Sequence, residues 1–178
     1  EQVKASGVDF VIIRCGYGRD ERGQDDRQWY RNVSECERLG IPFGVYLYSY
    51  AKDTDSARSE AQHVLRLISG HNLTYPVYYD MEDDSTIGCD LTSIATTFCN
   101  TIKSAGYAVG VYASLSWWNT YLTAPCFGQW YRWVAQYNST CKYTGEYAIW
   151  QYSSTGRVSG ISTDVDMNYL IGYPKDHG

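Results

Sequence analysis

Strand-like and helix-like segments alternate along the first two-thirds of this chain, and that alternation restricts the fold more than any other feature. Residues 8–16 (VDFVIIRCG) form a nearly unbroken apolar run whose one charge after Asp9 is Arg14, as expected for a strand covered on both faces. Residues 25–39 carry Trp29, Val33, Cys36 and Leu39 at helical spacing, and Gly40 stops them. Pro42 opens the next strand, on which Tyr46, Tyr48 and Tyr50 share a face. A second helix, capped by Asp55 or Ser56, has Ala57, Ala61, Val64, Leu65 and Ile68 as its buried face and ends at Gly70. After a third strand at 76–82, another helix aligns Leu91, Ile94, Phe98, Ile102 and Ala105, and residues 108–114 form a fourth strand. Full helices then stop. Residues 116–128 read as a loop or short helix, and 131–137, 147–153 and 165–170 as strands. Such alternation implies a parallel sheet with right-handed crossovers. Seven strands are predicted. The nearest architecture is a closed eight-stranded β/α barrel, although such barrels usually run to ~250 residues.

The chemistry points to residues 78–84 (YYDMEDD). On a strand, Tyr78, Asp80 and Glu82 share one face, with Tyr79 and Met81 on the other. Two carboxylates so placed among aromatics repel each other and lose solvent, and both effects raise the pKa of at least one. A protonated acid beside an ionised carboxylate is what glycoside hydrolysis requires. Two plainer readings remain open on this motif alone. One is a solvated acidic strand end. The other is a divalent-cation site made of Asp80, Glu82, Asp83 and Asp84.

Composition narrows the classes. A length of 178 residues suits one domain, 1–178, with a real core. No run approaches the ~20 apolar residues of a membrane span, so no membrane partner is expected. A net charge of −5 argues against nucleic acid. The 18 Tyr and 6 Trp offer flat faces with polar tips, which suit sugar rings, although more than half of the tyrosines are expected in core and rim. Six cysteines fit an exported protein without defining its fold, and neither CxxC nor a zinc spacing occurs. Cys15 reads as a buried thiol, and Cys89–Cys99 and Cys126–Cys141 are the expected disulfides. Arg14 calls for a carboxylate partner if buried: a structural ion pair is the plain reading, and orientation of Asp80 or Asp166 the sharper one. His63 is placed on a polar helix face, and no histidine is given a role.

Six segments carry a resemblance: DFVIIRCGYG (9–18), GIPFGVYLYSYA (40–51), YPVYYDMED (75–83), AGYAVGVYAS (105–114), WVAQY (133–137) and WQYSSTGRVSGISTDVDMNYL (150–170). In this order they resemble the glycoside hydrolase family 25 lysozymes, the muramidases of bacteria and phages. The resemblance implies an α/β fold, a flattened TIM-like (β/α) barrel with reduced helix number. It makes Glu82 the general acid/base, Asp80 the second carboxylate of the pair, and Asp166, which shares a strand face with Asn168, a further catalytic-site carboxylate. It also implies that Tyr46, Tyr48, Tyr112, Tyr137 and Trp150 line the substrate cleft. The family usually opens with a strand bearing an Asp, just before a segment like EQVKASGVDF. This sequence begins at Glu1, so seven of eight strands are expected, with an opening between the 8–16 and 165–170 strands.

The activity so implied is hydrolysis of the β-1,4 bond between N-acetylmuramic acid and N-acetylglucosamine in peptidoglycan. Retention is expected, with assistance from the substrate's own acetamido group, and direct attack by Asp166 or the first-strand Asp is the other route. No metal or cofactor is expected. The expected partner is the peptidoglycan glycan strand, met by a monomer that is secreted or wall-associated, or a phage endolysin. Two rivals stand beside this: a sugar-binding module that kept the aromatic cleft without catalysis, and a metal-dependent hydrolase using the acidic mouth. The latter lacks a histidine near its carboxylates.

Overall fold

The computed structural model describes residues 9–156 and 165–170. In chain order these form β1 (Val11–Tyr17), α1 (Trp29–Leu39), β2 (Phe43–Tyr48), α2 (Thr54–Ile68), β3 (Val77–Asp80), α3 (Leu91–Ser104), β4 (Val109–Ser114), α4 (Leu115–Thr120), β5 (Tyr131–Ala135), β6 (Ile149–Gly156) and β7 (Val165–Leu170). The strands lie side by side in sequence order. β1 to β6 are parallel and curl into a half-barrel, and β7 runs antiparallel to β6. That reversal departs from the all-parallel expectation. Residues 157–164 are too few for a parallel return, which needs about a dozen residues or more. Among the described residues, no helix is long and apolar enough to cross a membrane.

The period-2 alternation of the strands sorts side chains into two layers. Outward, Val45, Leu47, Val77, Tyr79, Val111 and Ala113 meet the helices through Val33, Ala61, Val64, Ile94 and Phe98. Tyr79 stacks on Phe98 with ring centres 3.8 Å apart. Inward, Tyr78, Tyr131, Trp133 and Ile149 form a second cluster that Ile12, Tyr46 and Tyr112 pack against. Gly110 makes room for it: a Cβ there would lie 2.6 Å from both the Tyr131 carbonyl oxygen and Tyr78 Cε1. β1 is not covered on both faces. Ile13 and Cys15 are buried outward, whereas Ile12 is half-buried and Arg14 exposed on the side of the mouth. Arg14 has its ion pair, with Asp26 at 3.8 Å.

Helix ends differ from expectation where polar side chains have other work. α1 starts at Trp29 because Asp25 and Asp26 anchor the preceding loop: the Asp26 amide donates to the Cys15 carbonyl at 2.9 Å. Asp53, not Asp55 or Ser56, caps α2, its carboxylate accepting from the Ser56 amide at 2.7 Å. Ala57, Ala61, Val64 and Ile68 are buried as predicted, with Leu67 rather than Leu65 and with Glu60 and His63 beside them. His63 is therefore a core residue, with Nδ1 2.9 Å from the Gly18 carbonyl and Nε2 2.7 Å from Asp25. Arg66 donates to both Asp25 oxygens, at 3.0 and 2.6 Å, and to Asp20 at 2.7 Å. Glu60 accepts from Ser49, Tyr79 and the Tyr50 amide, which ties the end of β2 to α2, and burial raises its pKa despite these bonds.

The expected disulfides are absent, and all six cysteines are free thiols. Cys99 lies eight residues into α3, so about 12 Å of helix rise separates it from the chain near Cys89, beyond the ~7 Å Cα limit of a disulfide. Cys141 instead meets the Tyr147 hydroxyl. Burial pushes the Cys15 and Cys99 thiols up, which keeps them protonated.

Burial alone would raise the Asp25 pKa, but hydrogen bonds from Arg66 and His63 outweigh it and hold the carboxyl below its ordinary value. A depressed acid stabilises the fold fully above its unfolded pKa and loses that contribution as pH falls through the folded value. Asp25→Asn should therefore lower stability near neutrality by roughly 2 kcal/mol, or about 4–8 °C in thermal midpoint. The gap from wild type should shrink between about pH 5 and pH 3. A gap constant across that range would show that Asp25 ionisation contributes nothing.

Candidate active site

β3 ends at Asp80, whose paired neighbours are Tyr48 on β2 and Tyr112 on β4. Asp80 is 5% exposed. The ladder extends one residue further, the Met81 amide donating to the Tyr112 carbonyl at 2.9 Å. Met81 joins Tyr79 in the outer core. By alternation this leaves Glu82, half-buried, on the side of Asp80.

Tyr48 gathers the acids. Its hydroxyl donates to Asp83 at 3.2 Å, and Ser85 donates to the same carboxylate. Burial first, then the negative charges of Asp83, Glu82 and Asp80, push the Tyr48 phenol well above its ordinary pKa, so it remains a donor. Asp83 is thereby engaged, and Asp84 is exposed. Among the described residues, no three His, Cys, Asp or Glu side chains converge as metal ligands would.

The opposite wall is aromatic. Trp133 stands edge-on to Tyr46, Tyr78 and Tyr112, with ring centres 6.1, 5.2 and 4.7 Å away. Its indole N–H donates to Asn168 on β7 at 2.7 Å. Gln151 is 2% exposed, and its side-chain carbonyl accepts from Tyr112 at 2.7 Å and Tyr137 at 2.9 Å. Tyr137 lies just past β5 and is exposed.

The structure thus groups Asp80 and Glu82 with Tyr48, and Tyr46, Tyr112 and Tyr137 with Trp133 and Gln151. Trp150 stands apart. It pairs with Val134, an outer-core residue, and donates to the Gln136 carbonyl at 2.9 Å, which puts it on the face of β6 opposite Gln151. Asp166 belongs to β7, and its side chain lies outside the described residues. Trp133 and Gln151 are site residues that sequence reasoning passed over. The signal was present: Trp133 shares the period-2 set of Tyr131 and Tyr137, and Gln151 is a lone amide in an apolar strand.

The sequence model described as Glycosyl hydrolases family 25 matches residues 1–161. The chain belongs to glycosyl hydrolase family 25. This family-25 chain is 28% identical to Lysozyme M1 of Streptomyces globisporus over 193 residues, covering 96% of the chain and 62% of that protein. It is 28% identical to the autolytic lysozyme of Clostridium acetobutylicum, covering 93% and 50%. Among solved structures it is similar to the modular autolysin LytC from Streptococcus pneumoniae, at 34% identity and a TM-score of 0.83, covering 94% of the chain and 42% of LytC. It is also similar to the bacterial lysozyme from Streptomyces coelicolor, at 27% identity and a TM-score of 0.78, covering 96% and 85%. The chain thus spans 62% and 50% of the two curated lysozymes. The flattened TIM-like barrel with few helices is the fold of this family.

Gln151→Met keeps the shape of the side chain and removes the acceptor that both phenols use. It should cost roughly 1–2 kcal/mol, about 2–8 °C in thermal midpoint. Gln151→Glu, which still accepts, should lose less. A midpoint unchanged in Gln151→Met would show that the tyrosines do not depend on this acceptor.

Proposed function

We propose that this chain is a muramidase that hydrolyses the β-1,4 bond between N-acetylmuramic acid and N-acetylglucosamine in bacterial peptidoglycan. The observation that carries the reading is the Asp80-x-Glu82 pair at the end of β3, opening into an aromatic mouth, in a family-25 chain similar to named lysozymes. LytC, which it resembles, has been solved with a synthetic peptidoglycan ligand.

In the reaction, Glu82 protonates the leaving oxygen at C4 of N-acetylglucosamine as the bond to C1 of the muramic residue breaks. The muramic 2-acetamido carbonyl oxygen attacks C1 from the opposite face, while buried Asp80 orients the amide and balances its developing positive charge. Water then adds to C1, Glu82 takes its proton, and the acetamido oxygen is released, so two inversions give retention. Tyr48, kept protonated, donates at the edge of the acid cluster. Asp166 on β7 is a further carboxylate of this site, with direct attack as its alternative role. In this reading the chain is a catalytic domain that acts as a monomer and without cofactor. It works at the cell wall, as a secreted autolysin or as a phage endolysin.

Glu82→Gln removes the proton donor and keeps the shape. Wall lysis should fall by on the order of 10²-fold or more, with the thermal midpoint unchanged. Lysis within a few-fold of wild type would sink the assignment, and an inactive wild type that still binds glycan would favour the sugar-binding rival. Proton NMR of fresh product should show the β anomer of the muramic reducing end first; the α anomer first would rule out retention.

A further inference from the structure

We infer that Arg14, Tyr17 and Tyr50 form an additional subsite at the mouth of β1 and β2 that takes a carboxylate-bearing amino sugar of the glycan chain. The inference rests on the muramidase reading and extends its site toward β1.

The register of β1 on β2 carries the argument. Pairing runs in step from Val11↔Phe43 to Arg14↔Tyr46, then resumes at Gly16↔Leu47 and Tyr17↔Tyr48. β1 holds one extra residue here, a bulge at Cys15, and bulges re-aim side chains beside sites. On a regular strand, Arg14 and Tyr17 would point to opposite faces. The bulge brings both into step with the inward tyrosines Tyr46 and Tyr48. It is clamped in place: Gly16 bridges to Asp25, the Gly18 amide donates to the Tyr48 carbonyl at 3.0 Å, and a Cβ on Gly16 would meet the Gln24 carbonyl at 2.7 Å.

A continuous row follows. Tyr48, bonded to Asp83 in the acid cluster, lies 4.9 Å from Tyr50 between ring centres. Tyr50 lies 6.0 Å from Tyr17, and the Arg14 guanidinium sits 5.6 Å from the centre of the Tyr17 ring. Tyr50 is 46% exposed and the Arg14 side chain 42%. The Asp26 contact at 3.8 Å is loose and leaves the guanidinium fork open to a second carboxylate. Aromatic rings offer a sugar its apolar face, and a planar cation at the end of the row suits an acidic sugar. In a chain of net charge −5, a cation placed this way discriminates for the acidic residue of an alternating glycan. The carboxylate is either the lactyl group of a peptide-free muramic residue or one from an attached stem peptide.

Calorimetric titration of the Glu82→Gln protein, in which turnover should be slowed on the order of 10²-fold or more, tests this with three probes: a peptide-free muramic-containing hexasaccharide, the same glycan bearing stem peptides, and chitohexaose, which has no carboxylate. Adding Arg14→Gln should weaken an acidic glycan roughly fivefold and chitohexaose less than twofold. Adding Tyr50→Ala should weaken all three. High salt should erode the preference for acidic glycan only where Arg14 is present. An Arg14 effect confined to the peptide-free glycan assigns the lactyl carboxylate, and one confined to the peptide-bearing glycan assigns the stem peptide. Equal losses on acidic and neutral glycans, or none, would overturn the subsite alone. Failure of Glu82→Gln to bind any probe would overturn the muramidase reading with it.

Discussion

β3 is held on both edges by parallel neighbours, and its register decides where each group of the site stands. Asp80 sits between Tyr48 and Tyr112, and Tyr78 between Tyr46 and Gly110. A slip of one residue would turn Asp80 into the helix layer and Tyr79 into the mouth. The outward contacts oppose such a slip: Tyr79 stacks on Phe98 and bonds to Glu60, and Val77 and Met81 are buried beside it. Inward, Tyr78 fills the interior above Gly110, where no larger residue fits. The acid pair is therefore positioned by packing on the opposite face of its own strand.

The same logic extends to the ends of β1 and β2, where buried polar groups replace apolar packing. Burying Glu60, His63 and Asp25 carries a desolvation cost, offset here because each has hydrogen-bond partners. Apart from Tyr79 on β3, the groups that Glu60, His63 and Arg66 of α2 bind lie on the loops after β1 and β2, at the edge of the active mouth. α2 thus acts as a post to which both loops are tied, and the bulge that turns Arg14 and Tyr17 inward lies directly beneath those ties. Removing the Asp25 charge would take away the carboxylate that ties the β1 loop to Arg66 and His63.

Much of this was legible in the sequence, because strand alternation is a local property. The Asp80/Glu82 face, the outward turn of Met81 and the apolar stripes of α2 and α3 follow from spacing alone. What failed depends on partners far along the chain. His63 reads as a surface residue until Asp25, 38 positions away, supplies its partner. The antiparallel β7 has the same alternation whichever way it runs, so only the length of its connection carries the direction. The bulge at Cys15 breaks the period that sequence reading relies on, which hid the common face of Arg14 and Tyr17. Trp150 was drawn to the cleft by the motif around it, although simple alternation with Gln151 puts it on the other side of β6.

The central claim is that the carboxylates at the end of β3 cleave the glycosidic bond on the muramic side. Digestion of purified peptidoglycan, followed by borohydride reduction and hydrolysis, identifies the sugar at each new reducing end. The account predicts muramicitol, accumulating with time and absent from the Glu82→Gln digest. Glucosaminitol in its place, or no new reducing ends, would contradict it.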